Sequence, residues 1–485
     1  MKAVALYHRL PYPLRCASAS ARGLYLRRWR YNASTDAAVA EILSRETWSP
    51  EQWQAWTAEE LARLLHRAET RVPWYREHWA RRRRQGDRRS SELLENWPVL
   101  EKAELRANPR AFLADDCRPS RMFGVHTSGT TGTPVHILQS HATVLRQYAL
   151  MEARWRGWNG VSRHDRWATI SGQLVTPVTQ DKPPYWVWNA GLRQLYMSAY
   201  HLSPAAAEHY RAALVRHKVR YIWGYPSGLH ALAEDLLARG LTVPNLKVVI
   251  TVSEPLLDVQ RDAIERAFGC PVVESYGMTE AVLSASQCRH GALHLWPESG
   301  VLEVVDGTVP LAPGQAGEFL ATGLNNPDMP LIRYRTGDRG ALSTEAGVCA
   351  CGRTLPRLAR VEGRSDDVLY TADGRRVGRL DPVFKAHLPI REAQIVQETL
   401  ERLRVRYIPA PEWNEAAEGE ILAAIHSRMG PVEVQFERVE SIPRSANGKF
   451  QSVLCQLPLE QRQALQRQRS TYRKAALEVA ASQIP

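Results

Sequence analysis

Residues 248–280 read VVITVSEPLLDVQRDAIERAFGCPVVESYGMTE, and their periodicity decides the fold class. The apolar, β-branched run 248–252 reads as a buried strand, 257–268 as a helix stopped by Gly269, and 272–275 as a second strand. The pattern extends upstream: Ser203 and Pro204 open a helix that runs to Lys218, 219–223 reads as a strand, and 229–239 is a helix stopped by Gly240. Strand and helix alternating in this way predict an α/β protein with a mostly parallel sheet and covering helices. In such sheets ligands occupy the crevice beyond the carboxyl ends of the strands, which is where Thr251, Val252, Ser253 and Glu254 fall, and with them residues 274–280.

The flanks read differently. The first hundred residues are Arg-rich and helical in period, with Trp48, Trp53, Trp56, Leu61, Leu64 and Leu65 forming a stripe up to Pro73. Between 300 and 345 short strands with turns at Asp306-Gly307 and Pro313-Gly314 predict a small β-rich subdomain. After Gly363 come short mixed strands, among them 432–436, and a polar helix over 459–481. The expected division is a helical part of the large domain (1–115), its core (116–363), a hinge (364–367) and a small α+β C-terminal domain (368–485).

Composition narrows the class. With 485 residues, 44% of them hydrophobic, the chain has enough apolar material for sizeable cores, which excludes disorder for most of it. The early apolar run at Ala3 is broken by His8 and Arg9, short of a membrane span. Seven scattered cysteines do not make a disulfide framework, so a soluble cytoplasmic protein with no integral membrane segment is expected. Against 51 acidic residues stand 63 Lys and Arg, a balance of +12 that attracts anions. The densest basic run, 81–84 with Arg88 and Arg89, has no interleaved aromatic platform, so nucleic acid is not the expected partner.

The chemistry sits in five motifs. Thr127, Ser128, Gly129, Thr130, Thr131, Gly132, Thr133 and Pro134 crowd glycines and hydroxyls into one loop after the strand 123–126, suited to phosphate oxygens although it lacks the lysine of a Walker A loop. Glu274, Ser275, Tyr276, Gly277, Met278, Thr279 and Glu280 place an aromatic face for adenine and a carboxylate for Mg²⁺ after a strand. Asp338, closing the run 334–338, suits two ribose hydroxyls. Arg364, Ser365, Asp366 and Asp367 set a cation beside acids at the domain boundary, and Lys449 rides a Gly-containing turn. Separately, Cys288, Cys349 and Cys351 with either His290 or His294 could compose a tetrahedral Cys₃His zinc site, against the alternative of buried free thiols.

In this order and spacing the five motifs resemble the adenylate-forming superfamily of acyl-CoA ligases, luciferases and peptide-synthetase adenylation domains. The segment 351–357 and the long helical N-terminus look most like its phenylacetate–coenzyme A ligase branch, including members associated with capsular polysaccharide genes. The resemblance implies that 127–133 clamps the β- and γ-phosphates of ATP, that Glu280 holds Mg²⁺ and that Asp338 receives the ribose. It further implies Arg364 as a nucleotide contact, Asp366 as the hinge and Lys449 as the catalytic lysine. Ser253, Glu254, Glu274, Ser275, Gly277, Met278, Thr279 and Arg353 complete the expected nucleotide-binding set. The lysine that many members carry in or after the loop is replaced by Thr133 and Val135. In the zinc cluster the branch's spacing selects His294 and implies a structural, non-catalytic metal. His126 and His230 are read as ordinary hydrogen-bonded histidines.

The function so implied is an ATP-dependent acid–thiol ligase that forms an acyl-adenylate and passes the acyl group to coenzyme A. An amine or carrier-protein acceptor is the enzymatic alternative, and a basic nucleotide- or nucleic-acid-binding protein the non-enzymatic one. Tyr185, Trp186, Trp188, Tyr196, Tyr200, Trp223 and Tyr225 gather where the family builds its acyl pocket, which points to a flat aromatic or bulky apolar small-molecule acid. The oligomeric state stays open at this level.

Overall fold

The structure is a computed structural model that describes residues 2–126, 135–177, 179–253, 256, 258–361, 369–372, 376–377, 380, 383–384, 388–409, 412–440, 442, 453–458, 460–462 and 464–465. Helices fill the N-terminal region as its period requires: Lys2–Arg9, Tyr12–Arg30, Thr35–Ser44, Pro50–Arg71 and Pro73–Arg84. Ser49 caps the fourth through a capping box, its Oγ accepting from the Gln52 amide while Gln52 Oε1 accepts from the Ser49 amide at 2.8 Å. Pro73 ends that helix and begins the next at its first position, where a missing N–H costs nothing. The apolar stripe buries Trp53, Leu64, Leu65 and Ala68, and Leu64, Leu65 and Ala68 share a core with Tyr75, Trp79 and Trp97.

Among the described residues thirteen strands form one sheet. Its parallel half runs in the order Gln194–Ser198, Trp167–Ser171, Tyr221–Gly224, Val248–Thr251, Val272–Gly277. Helices Pro226–Leu237 and Asp258–Phe268 lie on one face, packing Leu229, Leu232, Ile264 and Phe268 onto Ile222 and Val249. The other face carries Trp167, Tyr221, Val248 and Ile250. Trp186–Asn189 closes the edge in antiparallel pairing.

The β-rich region of the large domain continues the same sheet. Val272–Gly277 pairs on its far side, antiparallel, with Ser284–Gln287, and the sheet continues through Leu293–Leu295, Arg357–Val361, Tyr334–Leu342, Gly317–Gly323, Gly300–Asp306 and Val309–Pro310. Antiparallel pairings therefore outnumber the parallel ones. The reason is local: short turns such as those at Gly291 (φ +85°) and Gly307 (φ +63°) reverse the chain without a crossover helix.

A further core is composed entirely of residues 369–465. Its sheet has the order Glu433–Arg438, Arg402–Pro409, Ile390–Gln397, Val453–Cys455, covered by helix Ala416–Met429. Of the expected helix 459–481 only 460–462 and 464–465 are described, and the expected hinge 364–367 lies outside the described residues.

One backbone crossing has no slack. A Cβ on Gly300 would overlap the Val282 carbonyl oxygen and lie 2.6 Å from that of Thr322. Gly300→Ala is expected to cost about 3 kcal/mol, the upper end for overpacking, read as a lowered urea midpoint; an unchanged midpoint would contradict this packing.

Candidate functional site

The strand Val272–Gly277 delivers Tyr276 at its carboxyl end, and Glu280 follows three residues after the strand. Alternation along Tyr334–Leu342 buries Tyr334, Thr336 and Asp338 on one face. The two segments meet through side chains. Tyr276 donates its hydroxyl to Asp338 Oδ2 at 2.8 Å, and Tyr334 donates to Glu280 Oε1 at 2.9 Å. Asp338 is also fixed through its backbone, its amide donating to Thr336 Oγ1 at 3.1 Å just after Gly337 at φ +82°. The Tyr276 ring stands edge-on to Phe319, at 86° and 6.1 Å.

Glu280, 6% exposed, has a cation beside it: Lys102 Nζ lies 3.4 Å from Oε1. Lys102 begins the helix Lys102–Ala107 and is placed by Leu100, whose amide donates to the Arg333 carbonyl at 3.1 Å and whose carbonyl accepts from the Arg335 amide at 3.0 Å. Lys102 and Tyr334 were not among the residues expected from sequence, because their roles arise only from this long-range pairing.

The other expected residues divide. Ser275 donates to the Thr251 carbonyl at 2.8 Å, Ser253 has a left-handed backbone (φ +71°), Met278 packs on the core, and Gly277 and Thr279 are exposed. Glu274 is engaged by Arg261 at 3.2 Å; burial pushes its carboxyl up and the guanidinium draws it back. Arg353 is used elsewhere, its Nε donating to Glu46 and its guanidinium lying 4.0 Å over the Trp158 ring. Thr127, Ser128, Gly129, Thr130, Thr131, Gly132, Thr133, Glu254, Arg364, Asp366 and Lys449 lie outside the described residues. The strands on either side of 127–134 are described: Phe123–His126 pairs with His136–Gln139, and the rings of His126 and His136 stack at 4.6 Å.

Of the expected aromatic residues, Tyr185 stacks on His201 and Trp188 on His217 near the sheet edge. Trp223 and Tyr225 lie at the carboxyl end of a central strand, and Tyr200 donates to the Gly172 carbonyl at 2.9 Å. The missed residue is Trp155. The turn Met151–Arg156 is π-helical, and it carries Trp155 edge-on against Trp223 at 5.0 Å, 3.9 Å from where a Cβ on Gly277 would stand. A cavity of about 520 Å³ lies between Tyr200, His201 and Leu202 and the C-terminal residues His426, Gly430 and Pro431.

A second cluster lies on the antiparallel half. The ligand atoms of Cys288, His294, Cys349 and Cys351 are all within 4.8 Å of one another. Cys288 Sγ is 4.0 Å from Cys349 Sγ, and Cys351 Sγ is 3.5 Å from His294 Nε2. Tetrahedral zinc with Zn–S about 2.3 Å and Zn–N about 2.0 Å sets ligand separations of roughly 3.5–3.8 Å, so this donor set fits. Two matching turns hold the thiols: the Cys288 carbonyl accepts from the Gly291 amide at 2.9 Å, and the Cys349 carbonyl from the Gly352 amide at 2.8 Å. His294 Nδ1 faces the Leu355 carbonyl at 3.3 Å, turning Nε2 toward the sulfurs, and burial pushes the imidazole down to about 4, a neutral ligand. His290 is exposed and paired with Arg289, outside the cluster.

Beside it runs a buried ion network. Arg154, fully buried, donates to Glu46 at 2.9 Å and bidentately to Glu298 at 2.6 and 2.9 Å, while Glu46 also receives Arg353.

The family profile of AMP-binding enzymes matches residues 53–326, more than half of the chain, and that of the CapK C-terminal domain matches 369–456. Protein CapK of Staphylococcus aureus is 24% identical over 361 residues, covering 73% of this chain and 78% of that protein. The phenylacetate-coenzyme A ligase of Thermus thermophilus is 30% identical over 352 residues, 67% of this chain and 73% of its own. The fold is that of 2-hydroxyisobutyryl-CoA ligase solved with 2-HIB-AMP and CoA, with a TM-score of 0.54 at 21% identity over 87% of this chain and 94% of that one.

Arg154→Met would leave two carboxylates buried without their shared cation, a loss of about 3–5 kcal/mol. Chemical denaturation checks this, and adding Glu298→Gln to the variant should recover part of the loss; a single variant within 1 kcal/mol of the parent would contradict the reading.

Proposed function

The chain belongs to the AMP-binding enzyme family, and we propose that it is an ATP-dependent acid–CoA ligase, which activates a carboxylic acid as acyl-adenylate and hands the acyl group to coenzyme A. The observation that carries this reading is the meeting of Tyr276 with Asp338 and of Glu280 with Tyr334 at the carboxyl end of the parallel half of the sheet.

Each residue has a chemical task in that reading. Asp338, held in one rotamer by Tyr276, accepts from the ribose hydroxyls, and the Tyr276 ring offers adenine a flat face. Glu280 is a hard oxygen donor suited to Mg²⁺, which when bound neutralises the departing pyrophosphate. The acid's carboxylate attacks the α-phosphorus in line, and Lys449 counters the charge that develops there. Lys449 belongs to a C-terminal domain proposed at 368–485 and moved about Asp366 in the proposed hinge 364–367, so that the same site opens to the thiol in the second half-reaction. The large part and the C-terminal residues face each other across a cavity, which suits a domain that exchanges partners.

Substrate class follows from the aromatic wall. Trp155, packed edge-on against Trp223, stands beside Gly277, where the absence of a side chain leaves room for the acid, and such a wall favours a flat ring. Relatives named phenylacetate-coenzyme A ligase agree with an arylacetic or similar acid. In the Cys₃His cluster all four positions are filled by protein, so zinc there is structural.

Incubation with ATP, Mg²⁺, coenzyme A and phenylacetate, followed by chromatography, should yield the thioester; AMP release that requires an amine and ignores coenzyme A would reassign the acceptor. Lys449→Ala should slow adenylate formation ~10²–10³-fold while a supplied acyl-adenylate still reacts with coenzyme A. Equal losses in both half-reactions would contradict the two-conformation scheme. Elemental analysis of protein purified without chelators should find one zinc per chain, and Cys349→Ser should lower both zinc content and thermal midpoint; three freely titratable thiols in native protein would refute the metal site.

A further inference from the structure

The helix Tyr12–Arg30 turns apolar side chains to water. Its inward side mixes polar and small residues with Leu26 and Trp29. Arg15, 6% exposed, donates to Thr176 at 2.6 Å and Gln180 at 3.1 Å; Ser20 accepts from the Ala190 amide at 2.9 Å; and a Cβ on Gly23 would overlap Asn189. Its outward side is apolar: Leu14, Ala17, Ala21 and Leu24 follow one another at i, i+3, i+7 and i+10 and are all exposed, Leu14 at 53% and Leu24 at 56%. Tyr25 lies beside Leu24, and Leu6 of the preceding helix is 65% exposed. A surface helix of a water-soluble protein carries the opposite pattern.

Charge says what covers this face. Arg9, Arg22, Arg27 and Arg28 are exposed around the apolar stripe, and no acidic residue occurs before Asp36. Arg22 lies 4.8 Å over the Tyr25 ring, an amphipathic pair of the kind found at membrane–water boundaries. A second copy of the chain would set these arginines against their own kind, and a nucleic acid has no use for exposed leucines. A basic helix with an apolar stripe suits an anionic lipid surface, lying in the interface plane over a length of about 28 Å. No helix among the described residues is long and apolar enough to cross a membrane.

We propose that the outward face of Tyr12–Arg30, with Leu6, docks peripherally on a bilayer leaflet rich in anionic lipid. Both helices are tied to the large domain, Lys2–Arg9 by Tyr7 and His8 to the carbonyls of Val175 and Leu174 and Tyr12–Arg30 by Trp29 packed on Phe123. Docking therefore orients the whole large domain on the surface.

The full chain should co-sediment with extruded vesicles of three parts phosphatidylcholine to one part phosphatidylglycerol and not with phosphatidylcholine alone. Arg27→Gln with Arg28→Gln should weaken partitioning roughly thirtyfold, and Leu14→Glu with Leu24→Glu should abolish it. Circular dichroism and thioester synthesis, unchanged in both pairs because these side chains point outward, separate lost docking from lost folding. Equal binding to both vesicle types, no binding to either, or binding that survives Leu14→Glu with Leu24→Glu overturns the proposal. So does a salt-sensitive oligonucleotide complex that excludes vesicles, or a dimer in sedimentation equilibrium that the leucine variants dissolve.

Discussion

The strand Val272–Gly277 is hydrogen-bonded in parallel to Val248–Thr251 on one side and antiparallel to Ser284–Gln287 on the other, so two kinds of sheet share one member. Because of that junction the crevice beyond the parallel strands opens directly onto side chains of the antiparallel half. Tyr276 can then reach Asp338, 62 positions away in sequence, and Tyr334 can reach Glu280. A slip of one residue in the 275↔286 register would turn Tyr276 to the opposite face and break the first of these contacts.

The antiparallel half pays for its position with buried charge. Arg154 lies fully inside with Glu46 and Glu298, a network whose net worth is small when complete and whose disruption is costly. Glu46 comes from the N-terminal helical region, Arg353 from the second cysteine turn, and Trp158 bridges Arg353 to the edge of His294 at 5.9 Å. The ion network thus ties the helical region to the cysteine turn on the far side of the sheet, away from the carboxyl-end crevice that holds Tyr276, Glu280 and Asp338.

Three strands of the parallel half, 221–224, 248–251 and 272–277, and the helices closed by Gly240 and Gly269 were legible in the sequence because each is a local pattern, whereas Trp167–Ser171 and Gln194–Ser198 were not. Donor chemistry grouped the three cysteines with either His290 or His294, and the spacing of the resembled branch selected His294, the one the structure brings into the cluster. What escaped was non-local. No periodicity tells that 284–287 joins the same sheet as 272–277. The π-helical turn at 151–156 inserts a residue into a helical period and re-aims Trp155, and nothing near Lys102 in sequence announces Glu280. Glu274 and Arg353 carried the right chemistry for a nucleotide site, yet packing had engaged them with Arg261 and Glu46.

Formation of an acyl-adenylate in this crevice, as proposed, needs no thiol. Acid-dependent exchange of labelled pyrophosphate into ATP, run without coenzyme A over a panel of aromatic and aliphatic carboxylic acids, reads that step alone. Exchange should depend on Mg²⁺ and be fastest with flat aromatic acids. Folded, metal-replete protein that supports no exchange with any acid in the panel would contradict that proposal.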